Sequence, residues 1–117
     1  MSIQDLSENT LLVDASPEPS FNEELANVTD VVRERGDCDV IIDFKRVDII
    51  TSSSLSKLLK LRKLLMDCNH TLVLCSVATA TRGIFSVTAL DGVFTMVPDQ
   101  ASAQAAIDTQ TANLRFQ

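Results

Sequence analysis

An α/β domain is the expectation for this chain, on three observations. Strand-like and helix-like segments alternate from residue 40 onward, the strand candidates are nearly continuous runs of Val, Ile and Leu, and the length suits one core. Such alternation implies βα units with parallel pairing and right-handed crossovers. Continuous apolar runs are what strands look like when both faces are covered. At 117 residues a single core is normally complete, roughly 100 to 150 residues being the usual domain size. We therefore expect one domain over residues 1–112, a mixed, mostly parallel sheet of about five strands with about four helices. Residues 113–117 are expected to form a flexible end.

Two short extended segments open the chain, residues 2–7 and 10–14, the second holding Leu11, Leu12 and Val13. Residues 16–20 contain two prolines and read as a loop, since the residue before a proline is steered away from helix. Ser20 with Glu23 three residues on reads as a capping box. Phe21, Leu25, Val28 and Val32 follow on one helical face, and Gly36 stops the helix. Residues 40–44 (Val-Ile-Ile-Asp-Phe) form a strand of central type. A second apolar stretch, residues 47–50, leads into Thr51, Ser52, Ser53 and Ser54.

The helix after these hydroxyls is expected to reach about Asn69. Its inward stripe is Leu55, Leu58, Leu59, Leu61, Leu65 and Met66, while Ser56, Lys57, Lys60 and Lys63 share the opposite face, with Leu64 projecting among the charges. Residues 71–77 read as a strand, Thr79 or Thr81 as the start of a short helix carrying Ile84 and Phe85, residues 93–97 as a last strand, and residues 101–111 as a last helix.

Composition narrows the function. The formal charge of −6 argues against a nucleic-acid surface, which needs clustered Lys and Arg. No Trp or Tyr is present, which disfavours an aromatic base-stacking platform. No apolar run reaches the roughly 20 residues that span a membrane, and the first residues carry no basic start, so a cytoplasmic protein is expected. Cys38, Cys68 and Cys75 are odd in number and lack metal spacing, which fits reduced thiols, with Cys75 in the core. His70 has no second group indicated beside it, and Asp14, Asp43 and Asp48 read as loop caps more readily than as cation ligands. No catalytic or nucleotide fingerprint occurs, so neither an enzyme nor a metal or cofactor protein is expected.

Four segments carry a family resemblance. Residues 40–44 followed by 47–50 resemble the central strand and signature-loop approach of the STAS domain, the unit named for sulfate transporters and anti-sigma-factor antagonists. Residues 51–55 (Thr-Ser-Ser-Ser-Leu) take the place of the family's Asp-Ser-Ser-Gly-Leu and precede a leucine-rich helix with basic residues. Residues 71–77 are similar to the strand after that helix, and residues 89–94 (Ala-Leu-Asp-Gly-Val-Phe) to the turn before the last strand. The family's Asp is Thr51 here and its Gly is Ser54.

The resemblance implies a STAS-like α/β domain that is a non-catalytic regulatory interaction module. Its partner would be an anti-sigma factor that is itself a serine kinase, and the switch a phosphate on the first signature serine, Ser52, with Thr51 as the less favoured acceptor. Thr51, Ser52, Ser53, Ser54, Lys57, Lys60 and Leu64 would meet the partner. A helix N-terminus accommodates added negative charge, so the modification need not unfold anything. Two alternatives stand beside this reading: a scaffold or adaptor that assembles with other STAS proteins and is never phosphorylated, and a sensor binding a nucleotide or other anion at the same helix start.

Overall fold

The computed structural model describes residues 2–90 and 92–115. Their elements are β1 (Ser2–Ser7), β2 (Thr10–Asp14), α1 (Ser20–Arg35), β3 (Asp39–Asp43), α2 (Ser52–Asp67), β4 (Leu72–Cys75), α3 (Thr79–Val87), β5 (Thr95–Val97) and α4 (Gln100–Arg115). The five strands make one sheet in the order β1-β2-β3-β4-β5. β1 runs antiparallel to β2, and the remaining pairs are parallel.

Every residue of β3 is buried, as a continuous apolar strand at the sheet centre requires. Val40 and Ile42 face the side packed by α1, α2 and Phe85 of α3, whereas Ile41 faces Ala103 and Ile107 of α4. The same two-sided division holds in β2, where Leu11 and Val13 oppose Leu12, and in β4, where Leu72 and Leu74 oppose Val73 and Cys75. A helix therefore covers each face, and the tip of α2 is carried at the strands' C-terminal rim.

The periodicities hold in their main lines. Phe21, Leu25, Val28 and Val32 are buried, and Gly36 ends α1 at φ 76° with its N–H on the Val32 carbonyl. That left-handed conformation carries no side-chain penalty in glycine. Leu55, Leu58, Leu61 and Leu65 form the buried stripe of α2. Met66 is a correction, standing 52% exposed, because it lies a third of a turn from Leu65. α2 also closes earlier than expected: Asn69 takes φ 63°, and the His70 N–H turns back to the Leu65 carbonyl at 2.8 Å.

The proposed capping box is not formed. Ser20 is already helical, Pro19 before it sits in the right-handed helical region, and no side chain caps the position. A box needs an extended cap residue. The first free N–H groups go instead to the Pro17 and Pro19 carbonyls and to the Glu18 carboxylate. β4 is shorter than residues 71–77 because Ser76 turns to φ 57°. β5 starts only at Thr95 because Val93 closes a turn onto Leu90 and Phe94 packs edge-on against Phe85 at 5.4 Å. α4 runs Gln100–Arg115, into the segment 113–117 expected as a flexible end, of which Phe116 and Gln117 lie outside the described residues.

Candidate functional site

The start of α2 is built by residues from two segments distant in sequence. Thr51 is extended, at φ −82° and ψ 160°, and its hydroxyl accepts the Ser54 N–H at 3.1 Å. This is an N-cap in the ordinary sense, one hydroxyl satisfying one of the free donors of the first turn. The Thr51 hydroxyl also donates to Ser54 Oγ at 3.1 Å. Ser54 is wholly buried.

The loop before α1 closes the site from the other side. Glu18 Oε2 accepts the Thr51 N–H at 2.9 Å, and Oε1 accepts the Asn22 N–H at 3.2 Å. Partial burial is the largest single influence on this carboxyl and pushes its pKa up. Hydrogen bonds from the Ser54 hydroxyl, from the Thr51 N–H and hydroxyl and from the Asn22 N–H together outweigh it, holding the group below its ordinary value. Asn22, on the first turn of α1, donates through Nδ2 to Ser53 Oγ at 2.8 Å and to Ser54 Oγ at 3.3 Å. Its backbone carbonyl accepts from Lys57 Nζ at 3.2 Å, and its side-chain oxygen accepts from the same ammonium.

The four consecutive hydroxyls thus have different fates. Thr51 is spent on the cap, Ser53 is engaged by Asn22, and Ser54 lies inside. Ser52 is exposed and, among the described residues, makes no side-chain hydrogen bond. Ser54 as a contact residue is corrected: a side chain with no exposure supports the tip from beneath and cannot touch a partner.

Of the other residues named for contact, Lys60 is exposed, Lys57 is half-buried against Asn22, and Leu64 is half-buried against the core. The last is a correction to the expectation that Leu64 projects among charges; three residues after Leu61, it borders the buried stripe. α2 carries Lys57, Lys60, Arg62 and Lys63 against one acid, Asp67, which makes it a basic element of an acidic chain. Lys63 pairs with Asp67 at 3.3 Å.

Sequence reasoning missed three residues here. Glu18 and Asn22 gave no signal, because their partners lie more than 30 positions away. Ile49 is 67% exposed beside the buried Val47 and Ile50. The loop is pinned by the Thr81 hydroxyl, which donates to the Asp48 carbonyl at 2.8 Å, and Ile49 was hidden inside what read as a uniform apolar stretch.

His70 has a partner that the sequence did not indicate, its Nδ1 lying 3.2 Å from Asp39 Oδ1, which also accepts the Thr71 N–H. Asp43 accepts from the Lys45 N–H and from Gln100 Nε2, and Asp14 lies 3.9 Å from Arg46 Nε. These acids act within the fold. Among the described residues no group of three or more His, Cys, Asp or Glu is placed to hold a metal, and no helix is long and apolar enough to cross a membrane.

No curated protein sequence matches the chain. Solved structures do. An anti-sigma-factor antagonist domain protein from Planctomyces limnophilus is similar with a TM-score of 0.76 at 17% identity, over 92% of this chain and 97% of that one. The Bacillus cell fate determinant SpoIIAA in its phosphorylated form is similar with a TM-score of 0.65 at 13% identity, over 90% and 97%. A sulfate transporter family protein from Wolinella succinogenes gives 0.72 at 14% identity, over 93% of each. At these identities the likeness is one of fold. The model of the STAS domain matches residues 12–103, well over half of the chain, from within β2 through β5, and the chain therefore belongs to the STAS domain family.

Proposed function

We propose that this chain is a non-catalytic regulatory module of the anti-sigma-factor-antagonist type, acting in a bacterial cytoplasm. It binds a serine-kinase anti-sigma factor through the tip of α2, and phosphorylation of Ser52 releases it. The observation that carries this reading is the selection among the four hydroxyls: Ser52 alone is both exposed and uncommitted. Thr51, the competing acceptor, would have to give up the hydroxyl proton that it donates to the buried Ser54 Oγ. The contact surface is Ser52 and Ser53, with Thr51 at its edge, Lys60 and part of Lys57 along the helix, and Ile49 as an apolar anchor of the kind that dominates interface energetics when it enters a pocket.

Phosphorylation would add about −1.5 to −2 charges at neutral pH at a helix start, where free N–H groups accommodate an anion. The sheet and helices are kept, and the main cost falls on the partner that must desolvate or repel the new charge. The test is incubation with candidate serine kinases and ATP, followed by intact-mass measurement and site mapping. A single phosphate on Ser52, with loss of binding in Ser52→Asp, is the expected result. Phosphate on Thr51, or full binding by Ser52→Asp, would overturn the proposal.

The adaptor reading is favoured by one feature, the lack of an acid at position 51. It predicts that no phosphate is ever gained and that the chain co-purifies with other STAS proteins.

A further inference from the structure

Glu18 stands outside the α2 tip in sequence, yet it joins the starts of the two helices that frame Ser52. One carboxylate oxygen holds the Thr51 N–H, immediately before Ser52, and the other holds the Asn22 N–H of α1. Lys57, the cation in this contact, is engaged by the two oxygens of Asn22 and not by Glu18. The carboxylate is therefore kept in place by neutral donors alone among the contacts of the described residues, with no ion pair to resist a competing anion.

We propose that Glu18 is the positioning residue of the switch, holding the α2 tip against α1 until a phosphoryl group on Ser52 displaces it. The inference rests on Ser52 being the acceptor and adds how the modification is read. A phosphate one residue from the Thr51 N–H brings like charge to Glu18, while its own acceptor oxygens go to the free N–H groups of the first turn of α2 and leave the Thr51 N–H without an acceptor. The tip of α2 itself is not weakened, because the incoming anion satisfies it. What is lost is the tie to the loop before α1, where Pro17, Pro19 and Ser20 are exposed. A partner resting on both the tip and this loop would lose two contacts through one modification.

The test uses the purified chain and no kinase. Ser52→Glu and Ser52→Gln are near-isosteric and differ in charge, and each is made with Glu18 and with Glu18→Gln; the readout is hydrogen exchange of the Thr51 amide by NMR. With Glu18 present, we expect Thr51 to exchange about tenfold faster in Ser52→Glu than in Ser52→Gln, a local opening without global unfolding. In the Glu18→Gln background that ratio should fall to about one, since no like charge remains to be expelled. A ratio that is the same in both backgrounds, or no acceleration with Glu18 present, overturns the proposal.

Should Glu18→Gln fail to fold, the Glu18 side-chain carboxyl is titrated by NMR in the two position-52 variants. A midpoint higher in Ser52→Glu supports the displacement, because a like charge disfavours ionisation, and an unchanged midpoint overturns it. Because the charge is installed by substitution, the two failures are told apart: a failed kinase assay with responsive Thr51 exchange sinks the phosphate as the natural trigger and leaves only the charge sensitivity of the Glu18 contact. Unresponsive Thr51 exchange does the reverse.

Discussion

A single carboxylate serves two helix starts at Glu18, so its protonation is felt in both. Its hydrogen bonds outweigh burial and depress its pKa below the ordinary value of 4.5. A depressed carboxyl contributes stability that is fully present above the unfolded pKa and is lost as pH falls through the folded one. Wild type should therefore be more stable than Glu18→Gln at neutral pH, with the difference shrinking on acidification through that window. Urea unfolding at a series of pH values measures it, and a gap independent of pH would contradict it. Thr51→Ala removes the cap hydroxyl and should cost about 1 kcal/mol, read in the same unfolding curves. Ser52→Asp, by contrast, should leave thermal stability nearly unchanged, since the Ser52 side chain makes no bond to lose and the favourable charge at the helix start offsets the local loss of the Glu18 tie.

α2 divides its labour by face. Leu58, Leu61 and Leu65 are buried under the sheet, whereas Lys60 and Lys63 stand in solvent. Leu58→Ala should cost about 2–5 kcal/mol, the range for deleting a fully buried leucine side chain and leaving a cavity. Lys60→Glu touches nothing in the core and should change stability by less than about 0.5 kcal/mol, while weakening a partner contact that depends on the basic face. Equal destabilisation by both substitutions in thermal unfolding would refute this division. The stripe and the basic face were readable from spacing alone, because a 3.6-residue repeat fixes which positions share a side. Leu64 and Met66 were not, because both sit at the edge of the stripe, where burial depends on what α1 and the sheet bring alongside.

Across the molecule, the sheet seals two of the three cysteines. Cys75 lies between β4 and α4, and burial, with the nearby Asp43 charge adding to it, pushes its thiol up to about 11. Cys38 is likewise buried and raised, by burial first, while Cys68 is exposed at the end of α2. The thiolate is the reactive species, so a thiol reagent at neutral pH should label Cys68 in the native protein and all three cysteines after unfolding. Mass spectrometry of the labelled chain checks this, and native labelling at Cys75 would mean that α4 does not cover that face.

Local order in this chain was written in its residues. Apolar runs marked the strands, Gly36 and the hydroxyl cluster marked a helix stop and a helix start, and the alternation of elements implied the parallel sheet, since each of these signals depends only on near neighbours. The choice among Thr51, Ser52, Ser53 and Ser54 was of another kind. It turned on Glu18 and Asn22, which reach the tip from 31 to 33 positions away, and a hydroxyl's role depends on which donor or acceptor arrives beside it. Only the packing of α1 against α2 supplies that neighbour, so four similar side chains became a cap, an exposed hydroxyl, a bridge and a buried support.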